Sequence, residues 1–88
     1  MVYITHVHLS GGNSVQHIEQ VQWRDPGNAE TGKCSTQLMV NWIDKGGSAW
    51  VQGPAGDVEV VVVRTVPPYL KTKPNKTHAD NLLWLPRF

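Results

Sequence analysis

The chain of 88 residues is long enough for one domain, and its composition excludes several classes of protein. Apolar residues make up 40% and charged residues 17%, which is too apolar and too weakly charged for a disordered chain. The net charge of +1 provides no overall field that attracts nucleic acid, and one cysteine cannot form an intrachain disulfide. The apolar run Val60–Val63 is far too short for a membrane span, and the N-terminus lacks a signal-peptide pattern. We therefore expect a cytoplasmic protein that does not bind membranes.

The first part of the chain predicts a β-hairpin. Side chains alternate between two faces from Tyr3 to Ser10, which is typical of a strand. Glycine and asparagine in residues 11–16 favour a turn, and residues 17–24 predict a second strand that pairs with the first. An unbroken alternation in the first strand sorts its side chains into two sets: Tyr3, Thr5, Val7 and Leu9 on one face, and Ile4, His6 and His8 on the other.

A single helix is predicted from Thr36 to Lys45. Ser35 is a suitable N-cap, and Gly46 is the expected residue after the last turn. Cys34 lies where an apolar residue can pack back onto the first turns of the helix. Helical spacing predicts one apolar stripe that packs on the sheet, with the members Leu38, Met39, Trp42 and Ile43.

Two further strands complete the predicted architecture. Residues 48–52 form one, and the valine-rich residues 58–66 form the other, which we place centrally because both of its faces are apolar. Residues 25–33 are predicted to be a polar loop. The predicted fold class is therefore α+β, with the order β-β-α-β-β, a four-stranded antiparallel sheet and one helix packed on one face.

The last quarter of the chain differs from the rest. Pro67 and Pro68 cannot continue a strand ladder, and the residues after them are polar and basic. Residues 80–88 are strongly apolar, so we expect them to dock across the sheet or the helix. The predicted organisation is one domain, with a core in residues 1–66 and a basic loop and apolar C-terminal strap in residues 67–88.

Three stretches of the chain carry a resemblance to a known family. They are ITHV at residues 4–7 with the glycines and residues 17–23 that follow, the helix end and next strand at residues 39–51, and DNLLWLP at residues 80–86. Together they resemble a small bacterial and phage family that is catalogued only as a domain of unknown function. The resemblance covers nearly the whole chain and implies a stand-alone domain. It implies no activity, cofactor or catalytic residue, and we expect no cofactor.

Histidines of the predicted hairpin form a candidate metal site. His6 and His8 share a strand face, His17 opens the neighbouring strand, and Glu19 follows it. Imidazole and carboxylate groups are ligands of zinc and other first-row metals. A polar sheet face explains the same residues without a metal. A metal-dependent enzyme that uses these residues is therefore kept as one alternative function.

Basic residues near the C-terminus suggest a second alternative. Residues 1–63 carry three basic and six acidic side chains, whereas residues 64–88 carry five basic and one acidic. Cations that contact phosphates and aromatic rings that stack on bases are the parts of a nucleic-acid site. A solvated loop explains the same charges. The alternative function is a nucleic-acid-binding accessory protein, and its candidate residues are Lys71, Lys73, Lys76 and Arg87.

The aromatic content leads to the main functional hypothesis. Four tryptophans are more than so small a core requires, and aromatic side chains left exposed usually mark a partner surface. We expect a non-catalytic protein-binding module whose contact residues are Trp84, Phe88 and Tyr69. The partner is an unidentified protein, a host factor if the chain is encoded by a phage, or a second copy bound through a free sheet edge or the tail. Cys34 is expected to be structural rather than nucleophilic.

Overall fold

The computed structural model describes residues 1–53, 56–73 and 81–88. Those residues form a mixed sheet of six strands with one α-helix, so the α+β class is confirmed and the four-stranded antiparallel sheet is wrong. Within the described residues, no helix is long and apolar enough to cross a membrane. The elements in chain order are β1 (Val2–Leu9), β2 (Ile18–Arg24), β3 (Thr31–Ser35), α1 (Thr36–Asp44), β4 (Ala49–Gly53), β5 (Gly56–Val63) and β6 (Tyr69–Thr72), with short 3-10 turns at Val15–His17 and Asn81–Trp84.

The two strands that the sequence did not predict lie at the edges of the sheet. The strand order is β3-β2-β1-β4-β5-β6, so β3 and β6 each have one neighbour. β6 and residues 31–33 of β3 fall in segments predicted to be polar loops. A short edge strand resembles a loop in sequence because it buries few side chains and keeps polar residues on its other positions. In β6, for example, Leu70 and Thr72 are buried while Lys71 between them is only half-buried. The valine-rich β5 is next to this edge rather than central.

The helix connection explains why the sheet is mixed. α1 carries the chain from β3 at one edge to β4 on the far side of β1. A helical crossover, unlike a hairpin turn, can return the chain parallel to an earlier strand. β4 accordingly runs parallel to β1 and pairs with it over a short stretch, Val2 with Ala49 and Tyr3 with Trp50.

The C-terminal strap, residues 81–88, pairs with β1 and contributes Leu82 to the core. Beyond its short pairing with β4, β1 pairs with the strap: the Val7 N–H donates to the Pro86 carbonyl at 3.0 Å, and the Phe88 N–H donates to the Val7 carbonyl at 3.2 Å. Leu82 is 0% exposed and belongs to the same core cluster as Val7. Leu82 therefore anchors the strap in the core, with Leu85 packed against it.

A β-bulge in β1 overturns the predicted strand faces. The register with β2 passes from Ile4 to His6 and skips Thr5, and a second irregularity follows His8. Because a bulge inserts one residue, it shifts the alternation by one position. Ile4 and Val7 are therefore both buried in the core, although an unbroken strand would place them on opposite faces.

The helix begins as predicted and ends at Asp44, one residue before the predicted end, but its buried face is different. The Ser35 hydroxyl accepts the Leu38 N–H at 3.1 Å, and Gly46 adopts a φ of 103°, in the left-handed region that favours glycine. The stripe that faces the core consists of Thr36, Met39, Val40 and Ile43, at the expected helical spacing. Two members of the predicted stripe, Leu38 and Trp42, instead remain 59% and 38% exposed.

An ion pair joins the end of α1 to the end of β5 and gives a prediction for acid pH. Arg64 donates to both Asp44 carboxylate oxygens, at 3.0 and 2.6 Å, and these bonds hold the pKa of Asp44 below its usual 3.8. Because the pKa of Asp44 is lower in the folded chain than in the unfolded chain, the ion pair stabilises the fold above pH 3.8. This stabilisation is lost as the pH falls through the pKa that Asp44 has in the folded chain. We expect the Arg64→Gln variant to raise the pKa of Asp44 in a carboxyl NMR titration. An unchanged pKa would show that the pair does not form in solution.

Candidate functional site

An apolar groove opens between α1 and the strands β2 and β3. Its volume is about 350 Å³, and we call it the tryptophan groove. Buried Val2 and Met39 lie at its base. Its remaining lining residues come from β2, the β2–β3 loop, β3 and α1, and they are Trp23, Asp25, Glu30, Cys34, Leu38 and Trp42.

Glycines position both tryptophan rings of the groove. The ring of Trp23 lies so close to Gly32 that a Cβ added there would meet it at 2.7 Å. The ring of Trp42 is equally close to Gly47, at 2.5 Å from such a Cβ. Because each glycine lets a ring lie against the backbone, the indoles form walls of the groove. Leu38 is four residues before Trp42 and therefore extends the same helix face.

A tight loop between β2 and β3 brings Asp25 and Glu30 into the lining of the groove. The Asp25 N–H donates to the Glu30 carbonyl at 2.7 Å, and one Asp25 carboxylate oxygen accepts the Gly27 N–H at 2.8 Å. Ala29 adopts a φ of 61°, and its N–H donates to the Asp25 carbonyl at 2.9 Å. These hydrogen bonds hold Asp25, at the start of the loop, next to Glu30 at its end. Asp25 and Glu30 are the charged residues that line the groove, so its local charge is negative.

Cys34 contributes apolar surface to the groove. Its side chain is partly buried and packs against the core, and burial raises the pKa of the thiol. A raised pKa keeps the thiol protonated at neutral pH, whereas a nucleophilic cysteine requires a lowered pKa. The packing against the core and the raised pKa both favour a structural role for Cys34.

The predicted metal-ligand residues are dispersed. Among the residues that the structure describes, no three His, Cys, Asp or Glu side chains lie close enough together to hold a metal ion. Glu19 lines one cleft together with His17, whereas His6 lines a different one. The three histidines of the candidate site each have their own neighbour at Nδ1: the Thr5 hydroxyl at 3.0 Å for His6, the Phe88 main-chain oxygen at 2.6 Å for His8, and the Ser14 hydroxyl at 2.8 Å for His17.

The predicted phosphate-binding cations are partly engaged in local contacts. Lys73 pairs with Glu59 at 2.6 Å, and Arg87 donates to the Leu85 carbonyl at 2.7 Å. Lys71 is half-buried in β6, and Lys76 lies outside the described residues. The structure thus provides no observation that favours nucleic acid, and that function stays a prediction.

The three predicted partner-contact residues lie in different places. Trp84 and Phe88 are 52% and 36% exposed on the strap, where the Phe88 ring packs 5.8 Å from the ring of His8. Tyr69 starts β6 and lines a different cleft, next to the β5–β6 loop. These residues stay candidates, but they do not line a common groove.

Sequence reasoning missed the groove because it assigned Leu38 and Trp42 to the core. A signal was present: α1 has nine residues, and the apolar ones among them are more than one buried stripe can hold. The carboxylates gave no comparable signal, because Asp25 and Glu30 lie in a segment that reads as an ordinary polar loop.

The comparison with known proteins gives a family but no activity. Residues 3–86, from β1 to the strap, match the family described as "Protein of unknown function (DUF3892)". Searches of the curated proteins and of the solved structures returned no significant match. Because the match spans nearly the whole chain, this protein belongs to the DUF3892 family of proteins of unknown function.

Proposed function

We propose that this chain is a small non-catalytic protein-binding module that docks a segment of a partner protein in the tryptophan groove. The observation that carries the proposal is the exposure of Leu38 and Trp42, at 59% and 38%, on one face of α1 beside an apolar depression. Exposed apolar patches next to a groove usually mark interaction sites. Tryptophan is also among the residues that contribute most to binding energy at protein interfaces.

The neighbouring strand edge supports a polypeptide as the ligand. Among the described residues, β3 pairs only with β2, so its outer edge presents main-chain N–H and C=O groups. An extended segment can hydrogen-bond to such an edge while its side chains enter an adjacent pocket. The groove lies directly beside this edge, since Cys34 of β3 is one of its lining residues. Its volume of about 350 Å³ suits one or two side chains of such a segment better than a large cofactor.

Site-specific photo-crosslinking tests the proposal in the cells from which the chain comes. A photoreactive benzoylphenylalanine replaces Leu38 in one variant and Trp84 in a matched control, because both side chains are about half exposed. We expect a discrete protein adduct from position 38 that is lost when Trp23→Ala is added, since that change removes one wall of the groove. The adduct is then identified by mass spectrometry.

The control position distinguishes the two candidate surfaces. An adduct that forms from position 84 and not from position 38 would move the docking site to the strap and contradict the proposal. An adduct from position 38 that persists in the Trp23→Ala variant would show contact with α1 without use of the groove, and it too would contradict the proposal. An adduct between two copies of the chain would identify the docked partner as a homodimer subunit.

A further inference from the structure

We infer that the segment docked in the tryptophan groove inserts a long cationic side chain, that of a lysine or an arginine. The inference rests on the docking site proposed above and adds the chemistry of its occupant. It is carried by charge complementarity: Asp25 and Glu30 line the groove, and none of its lining residues is basic.

The nearby basic residues of this chain point elsewhere. Arg24 lies over the Tyr3 ring, 4.9 Å from its centroid, and donates to Gln52 at 2.9 Å on the outer face of the sheet. Lys33 lines a cleft on that same outer face. The carboxylates of the groove are therefore not neutralised by the two cations closest in sequence.

A neutral or acidic occupant would be disfavoured at this site. Covering Asp25 and Glu30 with apolar groups removes water from two charges and returns no compensating interaction. An acidic side chain would add repulsion between like charges. A cation offsets the first cost by its attraction to the carboxylates and avoids the second, because it has the opposite charge.

The apolar walls suit the remainder of a lysine or arginine side chain. Such side chains bury their methylene stems along apolar surface and keep the charged head near polar groups. Leu38 and Met39 offer that surface, and the indole faces of Trp23 and Trp42 attract cations through their quadrupole. The neutral thiol of Cys34 adds apolar contact and no competing charge.

A matched set of peptides tests the inference. The probes are acetylated peptides Gly-Leu-X-Leu-Gly with an amidated end, in which X is lysine, arginine, norleucine or glutamate. Binding is followed by titration in NMR spectra of the intact chain, using the amide signals of α1 and β3. We expect the lysine and arginine peptides to bind about fivefold to tenfold more tightly than the norleucine peptide, and the glutamate peptide to bind most weakly.

Variants that remove one negative charge show which carboxylates cause the preference for the lysine peptide. Asp25→Asn removes a charge from the groove but keeps an oxygen that accepts the Gly27 N–H, and Glu30→Gln removes the other charge with an isosteric side chain. Glu19→Gln is the control, because it removes an acidic charge that lies outside the groove. We expect the two groove variants to reduce the lysine-over-norleucine preference severalfold and the control to leave it unchanged. Loss of the preference at high salt is expected as well.

The outcomes separate this inference from the proposed function. If the norleucine peptide binds as tightly as the lysine peptide and shifts the groove signals, the groove docks segments but the cationic occupant is wrong. If the lysine preference persists in both groove variants, the cation binds elsewhere and the inference fails. If none of the peptides shifts the signals of α1 or β3 at millimolar concentration, both the occupant and the docking site are contradicted.

Discussion

Replacing Leu82 with alanine is expected to lower the free energy of unfolding by about 2–5 kcal/mol, the usual cost of a leucine-to-alanine change in a core. Leu82 is 0% exposed and belongs to the central cluster, although it lies near the end of the chain. The expected loss is a large part of the roughly 5–15 kcal/mol that stabilises a typical domain. The reason is that the Leu82 side chain fills space in the core, so that a smaller side chain leaves a cavity.

Urea unfolding followed by circular dichroism measures this effect. Trp84→Ala is the matched control, because its side chain is 52% exposed on the same 3-10 turn and its loss opens no cavity. We expect the control to change stability by less than about 1 kcal/mol. Equal effects of the two substitutions would contradict the burial of Leu82 and, with it, the docking of the strap in the core.

Replacing Trp42 with alanine is expected to weaken binding of the docked segment by about thirtyfold or more, since a central tryptophan commonly contributes 2 kcal/mol or more to an interface. The substitution removes one of the two indole rings that line the tryptophan groove. Calorimetric titration with the lysine peptide or with the cross-linked partner gives the affinity.

The same Trp84→Ala control separates this effect from a general loss of aromatic surface. It leaves the groove intact, so its affinity should equal that of the unmodified chain. Trp42 is 38% exposed and outside the core cluster, so the Trp42→Ala variant is expected to stay folded. Unchanged affinity in a folded Trp42→Ala variant would remove the groove from the binding surface.

Features fixed by local chemistry were predictable from the sequence. The N-cap at Ser35, the left-handed Gly46 and the hairpin of β1 and β2 depend on residues within a few positions of each other, and the structure confirms all three. Turn and cap signals act through short-range hydrogen bonds and φ preferences, which a sequence displays directly.

Features fixed by distant contacts were not predictable. The bulge at Thr5 is specified by how β1 meets β2 and the core, and an alternating pattern cannot show it. The edge strands β3 and β6 have sequences that suit a loop equally well. The parallel pairing of β1 and β4 depends on the path of the helical connection, and the predicted antiparallel sheet was wrong on this point.

The groove is a tertiary feature in the same sense. Its residues come from β2, a loop, β3 and α1, and their proximity follows from the sheet order. Helical spacing alone could not decide whether the side of Val40 or the side of Trp42 faces the core, because both residues are apolar although they lie on nearly opposite sides of the helix. The structure places Val40 inside, at 1% exposure, and leaves Trp42 beside the groove.

The chain carries its own reporters for the docking site. Its four tryptophans give four indole N–H signals in a nitrogen-edited NMR spectrum, two from the groove and two from Trp50 and Trp84. Addition of the cross-linked partner is expected to shift the signals of Trp23 and Trp42 and to leave the other two in place. Shifts confined to Trp84 or Trp50, with Trp23 and Trp42 unmoved, would contradict docking in the tryptophan groove.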